Sequence, residues 1–223
     1  MTWHHLPHPL GRTVWHDPRS LSYPAPRGAL TRRKWRHAGR VLDQGQLGSC
    51  TGNALAQVGN TKPCHKLFHR LWKEDDAVHF YERGTQEDEY TGTYPPDDSG
   101  SSGNGVCLAA LQDGVIESYS HAFGIDHALE ALMLQPIMIG IGWTNSMFYP
   151  DENGWISPEG GDVGGHELAV VGFDVDPTYG EYVWLLNSWG KGWGRRGYAK
   201  LKVTDLDDRL RRQGDATVPV FDS

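Results

Sequence analysis

The sequence predicts an α+β fold with a mainly helical first half and a mainly sheet second half. Between residues 51 and 72, apolar side chains such as Leu55 and Val58 recur at helical spacing. After residue 135, short apolar runs alternate with Gly, Asp and Pro turns, which is typical of strands. Joining a helical half to a sheet half can place a cleft between them.

A basic, proline-rich arm precedes this body. Residues 1–40 contain five prolines and no sustained periodicity, which predicts an extended arm that wraps the body or is partly disordered. They hold eight of the 21 basic residues and one of the 28 acidic residues, so a basic arm precedes an acidic remainder. The basic cluster between Arg32 and Arg36 has three possible partners: nucleic acid, an anionic cell-wall polymer or the acidic body itself. We expect docking on the body and no nucleic-acid partner.

The helical half is expected to contain three helices. Pro63 divides the first apolar segment into two helices, because proline interrupts helical hydrogen bonding. A third, short helix is expected at Val106–Leu111. Before it, Glu87–Gly105 is acidic and rich in Gly and Pro, which indicates a long loop. The acidic run Glu74–Asp76 is interpreted as a solvated face.

The second half begins with a helix at Ile125–Leu134 and continues as a sheet. Four apolar runs bounded by turn residues are expected to be strands: Pro136–Ile141, His166–Phe173, Glu181–Leu186 and Gly197–Val203. Thr204 with Asp207 three residues later is typical of a helix N-terminus, which predicts a last helix at Asp205–Gln213.

Composition excludes several classes of protein. A net charge of −7 argues against a protein that coats nucleic acid or binds membranes through basic residues. The longest apolar stretch, Ala131–Trp143, is interrupted by Gln135 and Pro136 and is too short to span a bilayer. The N-terminus lacks the basic patch and apolar run of a secretory signal. We therefore expect a cytoplasmic protein, in a host cytoplasm or a virion if the chain is phage-encoded.

The segment QGQLGSC, from Gln44 to Cys50, is the first candidate for chemistry. Cys50 precedes a predicted helix, where the helix dipole and free backbone N–H groups lower the pKa of a thiol and favour the nucleophilic thiolate. Gly45 and Gly48 permit a tight turn. The Gln44 side-chain amide can then point with the Cys50 N–H at one oxygen, as an oxyanion hole requires. A buried structural cysteine is the alternative.

Two further segments carry a histidine and an asparagine. His166 opens an apolar strand, from which it can face Cys50 across the cleft and act as general base and then as general acid. Asn187 follows a strand and can accept a hydrogen bond from the far imidazole nitrogen, while Trp189 covers that bond from water. Taken alone, a strand histidine or a turn asparagine is usually structural.

The segments QGQLGSC, GGHELAVVGFD and NSWGKGWGRRGYAKL, in that order, resemble the catalytic segments of papain-like cysteine peptidases, especially compact bacterial and phage members. The resemblance covers about residues 36–203. It implies a two-lobed fold, with an N-terminal helical lobe at about 45–118, a C-terminal antiparallel β-sheet or barrel lobe at about 119–203, and an active-site cleft between them. The arm, 1–35, and a short C-terminal helix and tail, 204–223, flank this domain.

The resemblance also assigns roles to individual residues. It implies a nucleophile, an acid and base, an orienting amide and an oxyanion donor at Cys50, His166, Asn187 and Gln44, respectively. It implies backbone contacts to an extended substrate at Gly100, Gly103, Gly105 and Gly165. Supporting positions are Trp189, Gly48 and Ser49.

The implied function is hydrolysis of peptide or isopeptide bonds in a protein or peptide, through a Cys-His-Asn triad, a thioacyl-enzyme intermediate and no cofactor. Two alternatives stay open. One is a cell-wall peptide hydrolase. The other is a non-catalytic papain-like module, for example in a virion, which would be inert if the arm or the loop Glu87–Gly105 covered Cys50.

The remaining cysteines and histidines are expected to be structural. Many family members have a cysteine where this chain has Leu47, so we expect Cys64 and Cys107 to be free thiols. His65 and His69 are four residues apart on a predicted helix but have no third ligand in register, so no metal site is expected.

Overall fold

Three helices lie in the first half of the chain and six of seven strands in the second, in a computed structural model that describes residues 5–67 and 70–221. In the described chain the helices are α1 (Cys50–Gly59), α2 (Glu74–Glu87), α3 (Gly103–Gln112), α4 (Ile125–Leu132) and α5 (Val203–Gln213). The strands are β1 (Arg33–Lys34), β2 (Ser118–His121), β3 (Ile137–Thr144), β4 (Asp162–Asp176), β5 (Gly180–Leu186), β6 (Tyr198–Lys202) and β7 (Asp215–Val220).

All of these strands belong to one antiparallel sheet. The strand order is β2-β7-β3-β4-β5-β6, and β1 from the arm pairs with β4. The four strands predicted from apolar runs are present as β3, β4, β5 and β6. The predicted α+β class, with a helical half before a sheet half, is therefore confirmed.

The central strands β3 and β4 are buried on both faces, which explains their nearly continuous apolar sequences. Ile139 and Leu168 face an apolar cluster that includes α4 and Trp143. Their neighbours Met138 and Ala169 face a second cluster formed with α1, α2 and α3. Successive side chains of a strand point to opposite faces, so the sheet separates two cores and α1 lies directly on one of its faces.

Several sequence expectations for individual elements were wrong. In place of the helix expected directly after Pro63, the described residues form a short 3-10 turn, Cys64–Leu67, and the next described helix begins at Glu74. The acidic run Glu74–Asp76, by contrast, agrees with the expected solvated face, because its exposed and half-exposed carboxylates form the first turn of α2 and interact favourably with the helix dipole. The segment predicted as a C-terminal tail contains β7, which pairs with both β2 and β3.

Helix boundaries also differ from the sequence expectations. The short helix predicted at Val106–Leu111 extends over Gly103–Gln112, because the Ser102 side chain accepts a hydrogen bond from the Gly105 amide and starts the helix earlier. The last helix begins at Val203, and no side chain caps its N-terminus.

The basic cluster of the arm docks on the body, as expected from its charge. Arg33 and Lys34 pair with β4, opposite Phe173 and Gly172. The Lys34 ammonium lies 3.2 Å from the ring centroid of Trp184, a cation–π contact. Arg32 forms an ion pair of 3.5 Å with Asp174. Strand pairing and charge together hold this part of the arm.

Three further observations concern the chain as a whole. Among the described residues, no helix combines the length and apolar character that crossing a bilayer requires. All three cysteines are buried and unpaired. His69, which was considered together with His65 as a metal ligand, and the last two residues of the C-terminal tail lie outside the described residues.

Candidate active site

Cys50 is the first residue of α1 and lies under the N-terminal arm. Its side chain has no exposed surface, and the backbone amides of Glu167 on β4 and Gly11 in the arm interact with its thiol. Burial raises the pKa of this thiol to about 12, although both amides act to lower it. The helix N-terminus was expected to lower the pKa. In this covered state, desolvation changes the pKa of the thiol more than the helix N-terminus does.

His166 and Asn187 form a hydrogen-bonded pair. The imidazole Nε2 donates to the Asn187 Oδ1 over 2.7 Å, so the neutral ring has its lone pair on Nδ1. Nδ1 is buried and has no hydrogen-bond partner among the described residues. Burial lowers the pKa of His166 to about 3, and the bond to Asn187 opposes this effect. Nδ1 is therefore the nitrogen that can take a proton, but burial makes it a weak base in this covered state.

Aromatic rings enclose the imidazole. Trp189 stacks on His166 with ring centroids 4.6 Å apart, and Trp143 meets the same ring edge-on at 4.9 Å. Trp189 is nearly fully buried, and its indole lies over the imidazole ring. On the other side of Trp189, His8 of the arm stacks at 4.4 Å.

Gln44 connects the loop before Cys50 to the segment that carries Asn187. Its backbone amide donates to the Ser188 carbonyl at 2.8 Å, and its side-chain Oε1 accepts from the Ser188 hydroxyl at 2.7 Å. Its Nε2 donates to the Leu47 carbonyl at 2.8 Å and, at 3.4 Å, to the carbonyl of Pro9 in the arm. The amide predicted as an oxyanion donor thus has an arm carbonyl as one of its acceptors.

These contacts connect the cysteine loop, strand β4 and the segment that carries Asn187. Cys50 faces the amide of the residue that follows His166, and His166 is bonded to Asn187. The Gln57 side chain of α1 donates to the Asn187 carbonyl at 3.1 Å, which ties the cysteine helix to the asparagine segment. The arrangement can support nucleophilic chemistry once the thiol is uncovered.

The arm bridges the two walls of the cleft. The Arg12 amide donates to the Gly165 carbonyl at 3.0 Å on the sheet side. On the helical side, the Ser101 amide donates to the Gly11 carbonyl and the Thr13 amide to the Ser101 carbonyl, each at 2.8 Å. A substrate backbone would need the space that this segment fills.

The glycines predicted to bind substrate divide into two groups. A β-carbon on Gly100 would lie 2.6 Å from the Gly11 carbonyl oxygen, and one on Gly165 would lie 2.4 Å from that of Arg12, so both face the arm. Gly103 instead lies against the Glu167 carboxylate. Gly105 packs against Gly84 of α2 and against Asp88, the residue that follows this helix.

The loop before the cysteine also contacts the arm. The Gly48 amide donates to the Asp98 carboxylate at 3.0 Å, and Ser49 is fully buried at the start of α1. The closeness of Gly48 to Gly11 leaves no room for a side chain between them. Gly48 and Ser49 therefore shape the floor on which the arm lies.

Sequence reasoning missed three charged residues at this site, of which Arg12 and Glu167 are buried and Asp215 is partly exposed. Arg12, Glu167 and Asp215 form ion pairs beside Cys50. Glu167 lies inside the apolar strand sequence HELAVV. Because buried glutamates are rare without partners, its position could have indicated a charged partner nearby. Nothing in the arm sequence distinguished Arg12 from its other basic residues. Within the described chain, no group of three or more His, Cys, Asp or Glu side chains could hold a metal ion.

Comparison with known proteins agrees with this arrangement. A sequence profile described as papain family cysteine protease matches residues 73–212, which include His166 and Asn187 and begin after Cys50. The chain is 27% identical over 191 residues to a cathepsin B-like protein, CP3, of Giardia intestinalis, covering 72% of this chain and 63% of that protein. It is 30% identical over 100 residues to a cysteine proteinase of Theileria annulata, covering 44% of this chain and 22% of that protein.

These curated relatives are longer, and the chain spans less than two thirds of their length. Among solved structures, xylellain, a cysteine protease from Xylella fastidiosa, has a TM-score of 0.67 and 20% identity, and the match covers 98% of each chain. That likeness shows the papain-like fold predicted from the sequence. Because the family profile matches more than half of the residues, this chain belongs to the papain family of cysteine proteases.

Proposed function

We propose that this chain is a cysteine peptidase that hydrolyses peptide bonds of a protein or peptide substrate and is kept latent by its own arm. The observation that carries the proposal is the His166–Asn187 pair, whose unpaired Nδ1 belongs to a site that also contains a helix-terminal cysteine. A hydrogen bond that fixes one imidazole nitrogen leaves the other to act as a base.

The chemistry follows from these groups. The Cys50 sulfur attacks the substrate carbonyl carbon while His166 Nδ1 takes the thiol proton. The oxyanion accepts hydrogen bonds from the Cys50 backbone N–H and Gln44 Nε2. His166 then gives its proton to the departing amine, which leaves a thioester on Cys50. A water molecule, deprotonated by His166, attacks this thioester and releases the carboxylic acid and the free thiol.

The arm supports a latent form in two ways. It buries both reacting groups, which raises the pKa of the Cys50 thiol and lowers that of the His166 imidazole, so both are neutral. It also presents the Gly11 amide to the thiol, while the Gly11 carbonyl is bonded to Ser101. An N–H group is not an electrophile, so the arm occupies the cleft without offering that carbonyl for attack.

The test is intact mass spectrometry after treatment with a peptidyl epoxide that alkylates activated thiols. Wild type is compared with Gly11→Ala, which has no room beside Gly48 and should displace the arm. We expect slow addition to wild type, faster addition to Gly11→Ala, and none when Cys50→Ala is added. His166→Ala in the Gly11→Ala chain should slow the addition strongly. Leu21→Ala, at an exposed arm position, is the matched control.

The covered cysteine also favours a second candidate, a non-catalytic papain-like module. It would be supported if hydrogen exchange showed a displaced arm in Gly11→Ala while Cys50 still failed to react. If Cys50 reacts, incubation of Gly11→Ala with casein and with purified cell walls separates the substrate classes. Solubilised cell walls together with intact casein would favour the cell-wall hydrolase.

A further inference from the structure

The side chain of Arg12 is buried in a pocket on the sheet side of the cleft. Its exposed fraction is 2%, and its guanidinium donates hydrogen bonds to the Asp215 carboxylate and, at 2.7 Å, to the Gln213 carbonyl. Its Nε lies 3.9 Å from Oε2 of Glu167, a side chain with no exposed surface. We call the site formed by Glu167, Asp215 and the Gln213 carbonyl the acidic pocket.

The register of the sheet creates this pocket. Gly140 of β3 lies directly opposite Glu167 of β4 on one side and Asp215 of β7 on the other. Residues directly opposite in antiparallel strands point to the same face, so two carboxylates flank a position without a side chain. A β-carbon on Gly140 would lie 2.3 Å from Arg12 Nε and 2.6 Å from Glu167 Oε2. Glycine therefore leaves the slot that the guanidinium fills.

The acidic pocket has more acceptor capacity than Arg12 uses. Neither carboxylate oxygen of Glu167 has a hydrogen-bond partner among the described residues, and Oδ1 of Asp215 also lacks one. Burial and the nearby Asp215 raise the pKa of Glu167 well above its usual range. Arg12 opposes this rise, and a guanidinium that reached Glu167 more closely than Arg12 does would stabilise the ionised carboxylate further.

The acidic pocket is one residue away from the reacting thiol. The Gly11 amide faces Cys50, and Arg12 is the next residue along the arm. A cavity of about 690 Å³, whose lining includes Arg12, Gly165 and Gln213, adjoins the arm at this point. A substrate whose reacting bond lies at Cys50 would place a neighbouring side chain at the entrance of the same pocket.

We propose that the acidic pocket is a specificity site that selects substrates with an arginine next to the reacting bond, and that Glu167 and Asp215 determine this preference. The inference rests on the proposed peptidase function. Arginine fits better than lysine, because its planar fork can donate to the two flanking carboxylates at once. Arg12 occupies the pocket in the latent form as the arm's own copy of that side chain.

The first experiment measures cleavage by the full-length Gly11→Ala chain. A positional library of fluorogenic peptides identifies the most selective position, and a matched pair then differs only by arginine or its uncharged isostere citrulline there. We expect kcat/KM to be roughly tenfold or more higher for the arginine peptide, as for hydrogen bonds to charged groups. Added Glu167→Gln or Asp215→Asn should each bring that ratio towards one.

Asp174→Asn is the matched control, because this carboxylate lies on the same strand as Glu167 but pairs with Arg32 outside the pocket. It should leave the ratio unchanged. Thermal unfolding of each variant shows whether it is folded. Using both Glu167→Gln and Asp215→Asn retains one informative variant if the other fails to fold.

A binding measurement separates this inference from the peptidase function. The full-length Gly11→Ala chain with Cys50→Ala is titrated by calorimetry with a synthetic peptide of arm residues 5–16, carrying arginine or citrulline at position 12. We expect the arginine form to bind at least tenfold more tightly, and Glu167→Gln to remove the difference. If the arginine form binds more tightly than the citrulline form but no peptide is cleaved, the peptidase function is refuted and the arginine preference of the acidic pocket is supported.

Two results would overturn the inference. One is cleavage of both peptides of the pair with equal kcat/KM. The chain would then be a peptidase without this specificity, and the two carboxylates would serve only to hold the arm. The other, in a chain without peptidase activity, is equal or undetectable binding of the two arm peptides.

Discussion

The α-carbon of Gly11 in the arm lies against the backbone carbonyl of Gly48, in the loop before the cysteine. A β-carbon on Gly11 would come within 1.7 Å of that oxygen. Backbone atoms cannot move aside as a flexible side chain can, so the arm reaches the cleft only because residue 11 has no side chain. Docking of the arm therefore depends on this contact as well as on charge.

We predict that Gly11→Ala detaches the arm from the cleft. The clash should cost about 1–3 kcal/mol in docking free energy, by analogy with overpacked cores. Hydrogen exchange of the Arg12 and Thr13 amides, which donate to Gly165 and Ser101, should become about tenfold faster or more. Leu21→Ala should leave both amides protected. Unchanged exchange in Gly11→Ala would show that the loop yields and the arm stays.

We predict that Arg12→Ala loosens the arm by removing a buried cation and its hydrogen bonds. It removes the cation beside the fully buried Glu167 and the partly exposed Asp215, and breaking a buried pair typically costs about 3–5 kcal/mol. Alkylation of Cys50 by a peptidyl epoxide should accelerate at least tenfold. The matched control is Arg19→Ala, because its ion pair with Asp17 is exposed and contributes little. Equal acceleration in both variants would contradict the role assigned to the buried pair.

The catalytic segments could be predicted from the sequence because their spacing is local and their chemistry is specific. Cys50 after two glycines, His166 at the start of an apolar strand and Asn187 after another strand define roles that the hydrogen-bond geometry accommodates. Those roles stay predictions until activity is measured. The fold class was also predictable, since β3 and β4 are apolar on both faces.

The acidic pocket and the place of Arg12 in it could not be predicted, because they depend on contacts distant in sequence. Arg12 meets Asp215 across 203 positions, and no local periodicity encodes such a pair. The missed helix α2 differs, since Ala77, Phe80, Tyr81 and Gly84 are its buried face and recur at helical spacing. The acidic first turn obscured that pattern. Strand β7 was missed because it contains Pro219 and directly follows a helix.

We predict that Gln44→Ala, in the Gly11→Ala chain, separates turnover from thiol reactivity. Loss of an oxyanion donor typically lowers kcat about 10²- to 10³-fold. Alkylation by a small haloacetamide creates no oxyanion, so its rate should change less than about threefold. The two rates are compared on the same preparations. A parallel loss of both would indicate that Gln44 acts through Ser188 and the shape of the loop instead.

The last prediction concerns pH. Burial lowers the pKa of His166 from 6.5 to about 3, so between these values the unfolded chain binds a proton that the folded chain does not. The free energy of unfolding should therefore fall as the pH drops below about 6.5, by up to about 1.4 kcal/mol per pH unit from this group. Urea unfolding of wild type and His166→Gln at pH 7.5, 5.5 and 4.5 isolates this contribution. His37 and His121, whose pKa values burial also lowers, contribute equally to both chains and cancel. Identical pH slopes would show that His166 is not held neutral under the arm.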